Sequence, residues 1–172
     1  MCGYLVTRFV VVMSKLLSLA SPAIDRMKGY LAAAQHAFIK SQYDVTLEAS
    51  FFEIVDAHIT DEDVVVAAYT DLNPIEHRRE CSLEQMIAGV QETLSLPRGM
   101  WNPECPGIPN IIEKNLRDGY WEHLMACFDY KKARIIELGH DVPYVNIGGG
   151  FTYVLYARDM SKCALLVGNV CD

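Results

Sequence analysis

The chain has 172 residues, 51% of them apolar and 22% charged, with a formal net charge of −7 at pH 7. That is the composition of a folded domain able to bury a core, and a single globular domain over residues 1–172 is expected. The acid excess speaks against nucleic acid or an anionic membrane as partner, because phosphate contacts need clustered Lys and Arg.

Tyr4 to Met13 is rich in Val and aromatic residues and reads as a strand or the start of a helix. The apolar run continues to Leu19, but Arg8 and Lys15 interrupt it. It is too short for a membrane span and lacks the basic region that opens a secretory signal, so a cytoplasmic location is expected. Met13 opens an alternative start. Ser21-Pro22 marks a helix N-terminus: a capping Ser, then Pro at the first helical position, with Asp25 in the first turn. Ile24, Met27, Leu31, Ala34 and Phe38 follow at helical spacing, which predicts a helix to about Lys40.

Val45, Leu47, Ala49 and Phe51 alternate with polar residues at the period of a half-buried strand. The predicted continuation is a turn at Thr60-Asp61-Glu62-Asp63 and a second strand from Val64 to Tyr69, giving a hairpin over 45–70. A helical reading competes, since Leu47, Phe51, Val55 and Ile59 also fall four apart and Thr60 with Asp63 matches a cap. The hairpin is preferred. Ser82 with Gln85 forms a capping box, with Cys81 and Met86 at the staple positions, and opens a second helix ending before Pro97.

Pro97 to Pro109 reads as an irregular loop. A third helical pattern starts at Asn110, with a soft break expected at Gly119, and runs through Phe128. Ala133 to Leu138 reads as a strand and Gly139 to Gly150 as a loop. Phe151–Arg158 and Cys163–Val170 form a hairpin about the turn Asp159–Lys162. Strands and helices are segregated, so the expected class is α+β: a largely antiparallel sheet, from hairpin 45–70 and the C-terminal hairpin 151–170, packed by three helices.

Between Lys40 and Arg78 the chain carries Asp44, Glu48, Glu53, Asp56, Asp61, Glu62, Asp63, Asp71 and Glu76 without one Lys or Arg. A field of one sign speaks about partners and association rates. The functional expectation is a small acidic protein-binding domain, of inhibitor or immunity type, that occludes a basic protein surface. Glu48, Glu53, Asp56, Asp61, Glu62 and Asp63 would form the binding face, with Trp101 as an aromatic anchor. The apolar C-terminal hairpin leaves an edge on which a second copy could pair.

Met1-Cys2-Gly3 supports the alternative, a small hydrolase. Removal of Met1 would expose Cys2 as an N-terminal nucleophile with its own amine as base. This opening is similar to that of class II glutamine amidotransferases, and the resemblance implies an N-terminal-cysteine amidohydrolase. It covers these three residues; that family's arginine and Asn-Gly oxyanion segment have no counterpart here. His140, beside Asp141, is the other candidate catalytic residue, as a general base.

The six cysteines lack Cys-x-x-Cys pairs and read as free thiols. His77 with Cys81 and His123 with Cys127 share a His-x-x-x-Cys spacing, and together would supply two imidazoles and two thiolates to zinc. Structural zinc favours closer cysteine pairs, so these four are candidate ligands while no metal or cofactor is expected. The triple glycine at 148–150 precedes a strand-like run and lacks the helix N-terminus of a phosphate cradle.

Overall fold

A computed structural model describes residues 15–39, 44–69, 75, 77–95, 110–139 and 150–171. In chain order the elements are β1 (Leu16–Ser18), α1 (Pro22–Ile39), β2 (Asp44–Ile54), α2 (Asp61–Ala68), β3 (Arg78–Cys81), α3 (Leu83–Ser95) and α4 (Asn110–Cys127). A 3-10 turn (Tyr130–Lys132) leads into β4 (Arg134–Leu138), β5 (Gly150–Tyr156) and β6 (Lys162–Cys171). The strands form one six-stranded sheet in the order β1-β2-β6-β5-β4-β3, every neighbouring pair antiparallel. The class is α+β, as expected.

Alternation along β2 sorts the sheet into two faces. Val45, Leu47, Ala49 and Phe51 point to one side and pack with Ile24, Met27, Leu31, Ala34 and Phe38 of α1. Met86, Val90 and Leu94 of α3, with Tyr120 and Leu124 of α4, complete this larger core. On the reverse face Phe52, Ile136, Val154, Tyr156 and Leu165 pack with Leu16 and with Val64 and Val65 of α2. β5 and β6 are buried on both faces, which is why they read as unbroken apolar runs.

Local signals set the helix starts. The Ser21 hydroxyl accepts from the Ile24 N–H at 3.3 Å. At α3 the Ser82 N–H donates to Gln85 at 2.8 Å, and the Gln85 N–H donates back to the Ser82 hydroxyl at 3.2 Å. Cys81 and Met86, the staple pair, are both buried.

Three expectations are corrected. The hairpin over 45–70 does not form, because residues 61–68 are the helix α2. Asp63 donates its N–H to the Thr60 hydroxyl (3.2 Å), and its carboxylate accepts from the Thr60 N–H (3.0 Å). Val64, Val65 and Val66 are buried in succession; a strand with one solvated face buries only alternate residues, and tertiary burial outweighs the weak helix propensity of valine. α2 is thus a fourth helix, alone among the described helices in covering the reverse face. β2 pairs instead with β1 and β6.

α4 runs through Gly119 without a break. The missing side chain admits the ring of Tyr30, whose hydroxyl donates to the Leu116 carbonyl. The C-terminal hairpin, expected to offer an edge to a second copy, lies at the centre of the sheet. β6 is paired along β2 and β5, and β5 from Tyr153 to Tyr156 along β4. Among the described residues, no helix is long and apolar enough to cross a membrane.

Candidate functional site

The acids of the 44–71 stretch fall into separate environments. Glu48 and Glu53 are an odd number of residues apart on β2 and so point to opposite faces. Glu48 accepts from the Tyr69 hydroxyl at the end of α2. Asp63 is nearly buried, holding the cap of α2 and an ion pair with Lys15 at 3.1 Å. Asp61 accepts from the buried Tyr156 hydroxyl at 2.6 Å and lies 3.8 Å from Arg78. Burial, and then the Asp61 carboxylate, hold the Tyr156 phenol far above its ordinary range, so it stays a donor. Asp56 receives the His58 N–H at 2.9 Å in the loop after β2, and Glu62 is half-buried in the first turn of α2. Asp61 and Asp63 are therefore engaged inside the molecule, while Glu53 and Asp56 flank the outer end of β2.

That end of the sheet carries an apolar patch. Leu17 and Val55 are 51% and 58% exposed, the most exposed large apolar side chains among the described residues. Leu17 lies opposite Glu53 in the β1–β2 register, and the Val55 N–H donates to the Lys15 carbonyl at 2.8 Å, which continues the pairing by one step. Leu17, Glu53 and Val55 thus share one face. Glu53 in turn registers with Lys162 at the start of β6. From Lys162 an open groove of about 590 Å³ runs beside Arg158 and Ala157 to Cys127 and Phe128 at the end of α4. Leu17 and Val55 stand diagonally on neighbouring strands, with Glu53 opposite Leu17.

A second, more polar cleft of about 340 Å³ lies on the reverse face between the start of α2 and the β3–β4 edge. Ile59, Ile136 and Tyr156 line it with Asp61, Arg78, Glu80 and Arg134. The Arg134 Nε–Glu80 pair is 3.1 Å. Arg79, which also borders the cleft, pairs with Glu137 across the β3–β4 register at 2.6 Å. These arginines belong to short strands far apart in the chain, so no local motif announces them.

The four candidate zinc ligands do not assemble: among the described residues no group of three or more His, Cys, Asp or Glu side chains is placed to hold a metal. Cys81 faces the larger core, and His123 lies against the Tyr30 ring with centroids 4.8 Å apart. Burial raises the thiol pKa of Cys81 and of Cys127, and takes Cys163 to about 12, which disfavours the thiolate a nucleophile needs. Cys2, Trp101, His140 and most of the triple glycine lie outside the described residues.

The fold is similar to that of citrus MAF1 in its crystal structure, with a TM-score of 0.52 over 82% of this chain and 98% of that one. The two sequences are 10% identical, so the likeness is one of fold. No protein-family model and no curated protein matches the sequence.

Proposed function

We propose that the protein is a protein-binding domain that recognises a basic, partly apolar surface of a partner through the outer end of β1 and β2. The reading is carried by Leu17 and Val55, solvent-exposed on one face, with Glu53 opposite Leu17 and Asp56 adjoining Val55. An apolar centre supplies affinity on desolvation. A carboxylate rim, with the net charge of −7 behind it, favours encounter with a cationic surface and repels acidic ones. Occlusion of that cationic surface would make the domain an inhibitor. The likeness to MAF1 adds nothing to this reading, which stands on the residues of this chain.

The test compares the native chain with Leu17→Ser/Val55→Ser and with Glu53→Gln/Asp56→Asn in pull-downs from host lysate at low and high salt. These acids are chosen over Asp61 and Asp63, whose replacement would remove the partner of the Tyr156 hydroxyl and the cap of α2. A stoichiometric partner lost with either pair, and weakened by salt with the native chain, supports the proposal. Retention by both variants, or no partner at either salt, removes it.

A further inference from the structure

The cleft between α2 and the β3–β4 edge holds two cations and two anions that match one another poorly. Register places three of them on the reverse face: Arg134 lies opposite Tyr156, Arg78 opposite Leu138 and Glu80 opposite Ile136. The side chains of Arg134, Arg78 and Glu80 are 56%, 65% and 63% exposed, so solvent reaches them directly. Asp61, from the first turn of α2, is only 12% exposed. The third arginine of the cleft, Arg79, is already bonded to Glu137 through Nε and Nη2.

Each of the two ion pairs is incomplete. Arg78 Nη1 stands 3.8 Å from Asp61 Oδ2, beyond hydrogen-bond length, while Oδ1 is held by the Tyr156 hydroxyl. Arg134 reaches Glu80 through Nε at 3.1 Å, and among the described residues its Nη groups meet no acceptor. A guanidinium is built for a two-point grip on a carboxylate, and neither of these makes one. Within about 340 Å³ the cleft thus offers unused guanidinium donors beside a nearly buried carboxylate oxygen that accepts no hydrogen bond among the described residues.

The balance of signs selects the ligand. A phosphate or other simple anion would lie against Asp61 and Glu80, and a simple cation against two arginines. A small molecule carrying both charges meets neither penalty. Ile59 and Ile136 add apolar wall to the cleft. Met160 reaches it from the β5–β6 turn at a φ of 54°, a left-handed conformation that glycine adopts more easily, with its side chain 36% exposed.

We infer that this cleft binds a free α-amino acid with an apolar side chain. Its carboxylate accepts from Arg78 and Arg134, its ammonium donates to Asp61 and Glu80, and its side chain lies on Ile59, Ile136 and Met160. Two partial ion pairs become complete and no charge is left unpaired. The volume is at the lower end of small-molecule sites, as a ligand of this size requires. Glu53 and Val55 share the parity of Phe51 and so belong to the opposite face of the sheet; the inference does not rest on that patch.

The test is amide NMR of the full-length chain titrated with L-leucine, L-isoleucine, L-methionine, glycine, L-aspartate, L-lysine and inorganic phosphate. N-acetyl-L-leucine and L-leucinamide each lack one of the two charges. An apolar amino acid should shift residues 59–61, 78–80, 134–136 and 156 saturably, with a Kd below about 1 mM. Both capped forms should bind about tenfold more weakly or worse. No saturable shift below about 10 mM, phosphate binding as tight as leucine, or capped forms equal to leucine overturns the proposal.

Two variants locate the site. Arg134→Gln should weaken leucine about tenfold with the melting temperature unchanged, because the side chain is more than half exposed. Met160→Gly should lose the preference for leucine over glycine while the melting temperature holds or rises, since the turn suits glycine. Binding indifferent to both variants places the ligand elsewhere and overturns the proposal. The capped ligands are read on the native chain, so that arm does not depend on either variant folding.

Discussion

Replacing Gly119 by Ala should destabilise the protein, although the same change in an exposed helix interior stabilises by about 1 kcal/mol through helix propensity. A Cβ built at Gly119 would stand 2.7 Å from Tyr30 Cε2, 3.1 Å from Cζ and 3.2 Å from the hydroxyl oxygen. The Tyr30 ring cannot move away freely. Its hydroxyl donates to the Leu116 carbonyl and its other face meets His123. Displacing it sacrifices a hydrogen bond of about 1 kcal/mol and adds an overpacking cost of about 1–3 kcal/mol. Against the gain in propensity, the net loss is about 1–3 kcal/mol, or roughly 2–12 °C in Tm for a chain of this size. Urea unfolding of Gly119→Ala, Tyr30→Ala and the double variant gives a closed cycle. In the Tyr30→Ala background the obstacle is gone, and Gly119→Ala should become stabilising. A reversal of sign between backgrounds is the signature; stabilisation in the native background, or equal effects in both, would refute the steric argument.

Other substitutions probe other parts of the fold. Thr60→Ala removes the hydroxyl that accepts from Asp63 and should cost about 1 kcal/mol in urea unfolding; an unchanged midpoint would mean the cap contributes nothing to α2. Cys163, buried with its thiol pKa pushed up to about 12, should resist iodoacetamide at pH 8 until denaturant is added, with peptide mass mapping as the readout. Stability should fall as pH rises above 10. Burial takes the Tyr30 phenol to about 12, so between these values the native state keeps a proton that the unfolded state releases, and below 10 the two bind equally. Tyr30→Phe should make the fall of the urea midpoint between pH 10 and 12 shallower, with the buried phenols of Tyr120, Tyr153 and Tyr156 supplying the rest of it; an unchanged slope would place the alkaline loss elsewhere.

The elements legible in the sequence were those with a local signal. Ser21-Pro22, Ser82 with Gln85, the alternation of Val45 to Phe51 and the turn at Asp159 each carry their own chemistry within a few residues. Thr60 with Asp63 is ambiguous because one pair of side chains serves equally as a turn and as a helix cap, and three successive valines have the composition of a strand. Only burial of all three in the structure decides it. β3 is silent in the sequence because Arg78-Arg79-Glu80-Cys81 is an edge strand with one buried residue, so it has no apolar alternation. The acidic stretch was visible, but its division between two faces and two internal contacts depends on where β2 and α2 lie. The patch of Leu17 and Val55 depends on β1 meeting β2, and the arginine cleft on β3 meeting β4; pairings between distant segments leave no trace in local spacing.

The strand order also bears on how the chain is made. β6, the last strand, stands between β2 from the first third of the chain and β5, and its registers with the two are the longest in the sheet. Until residues 162–171 have left the ribosome, β1–β2 and β3–β4–β5 are two parts of the sheet that share no strand, and only helix packing of α1 on α4 can join them. Closure of the sheet should therefore wait until residues 162–171 have been made, with the inner edges of β2 and β5 unpaired until then.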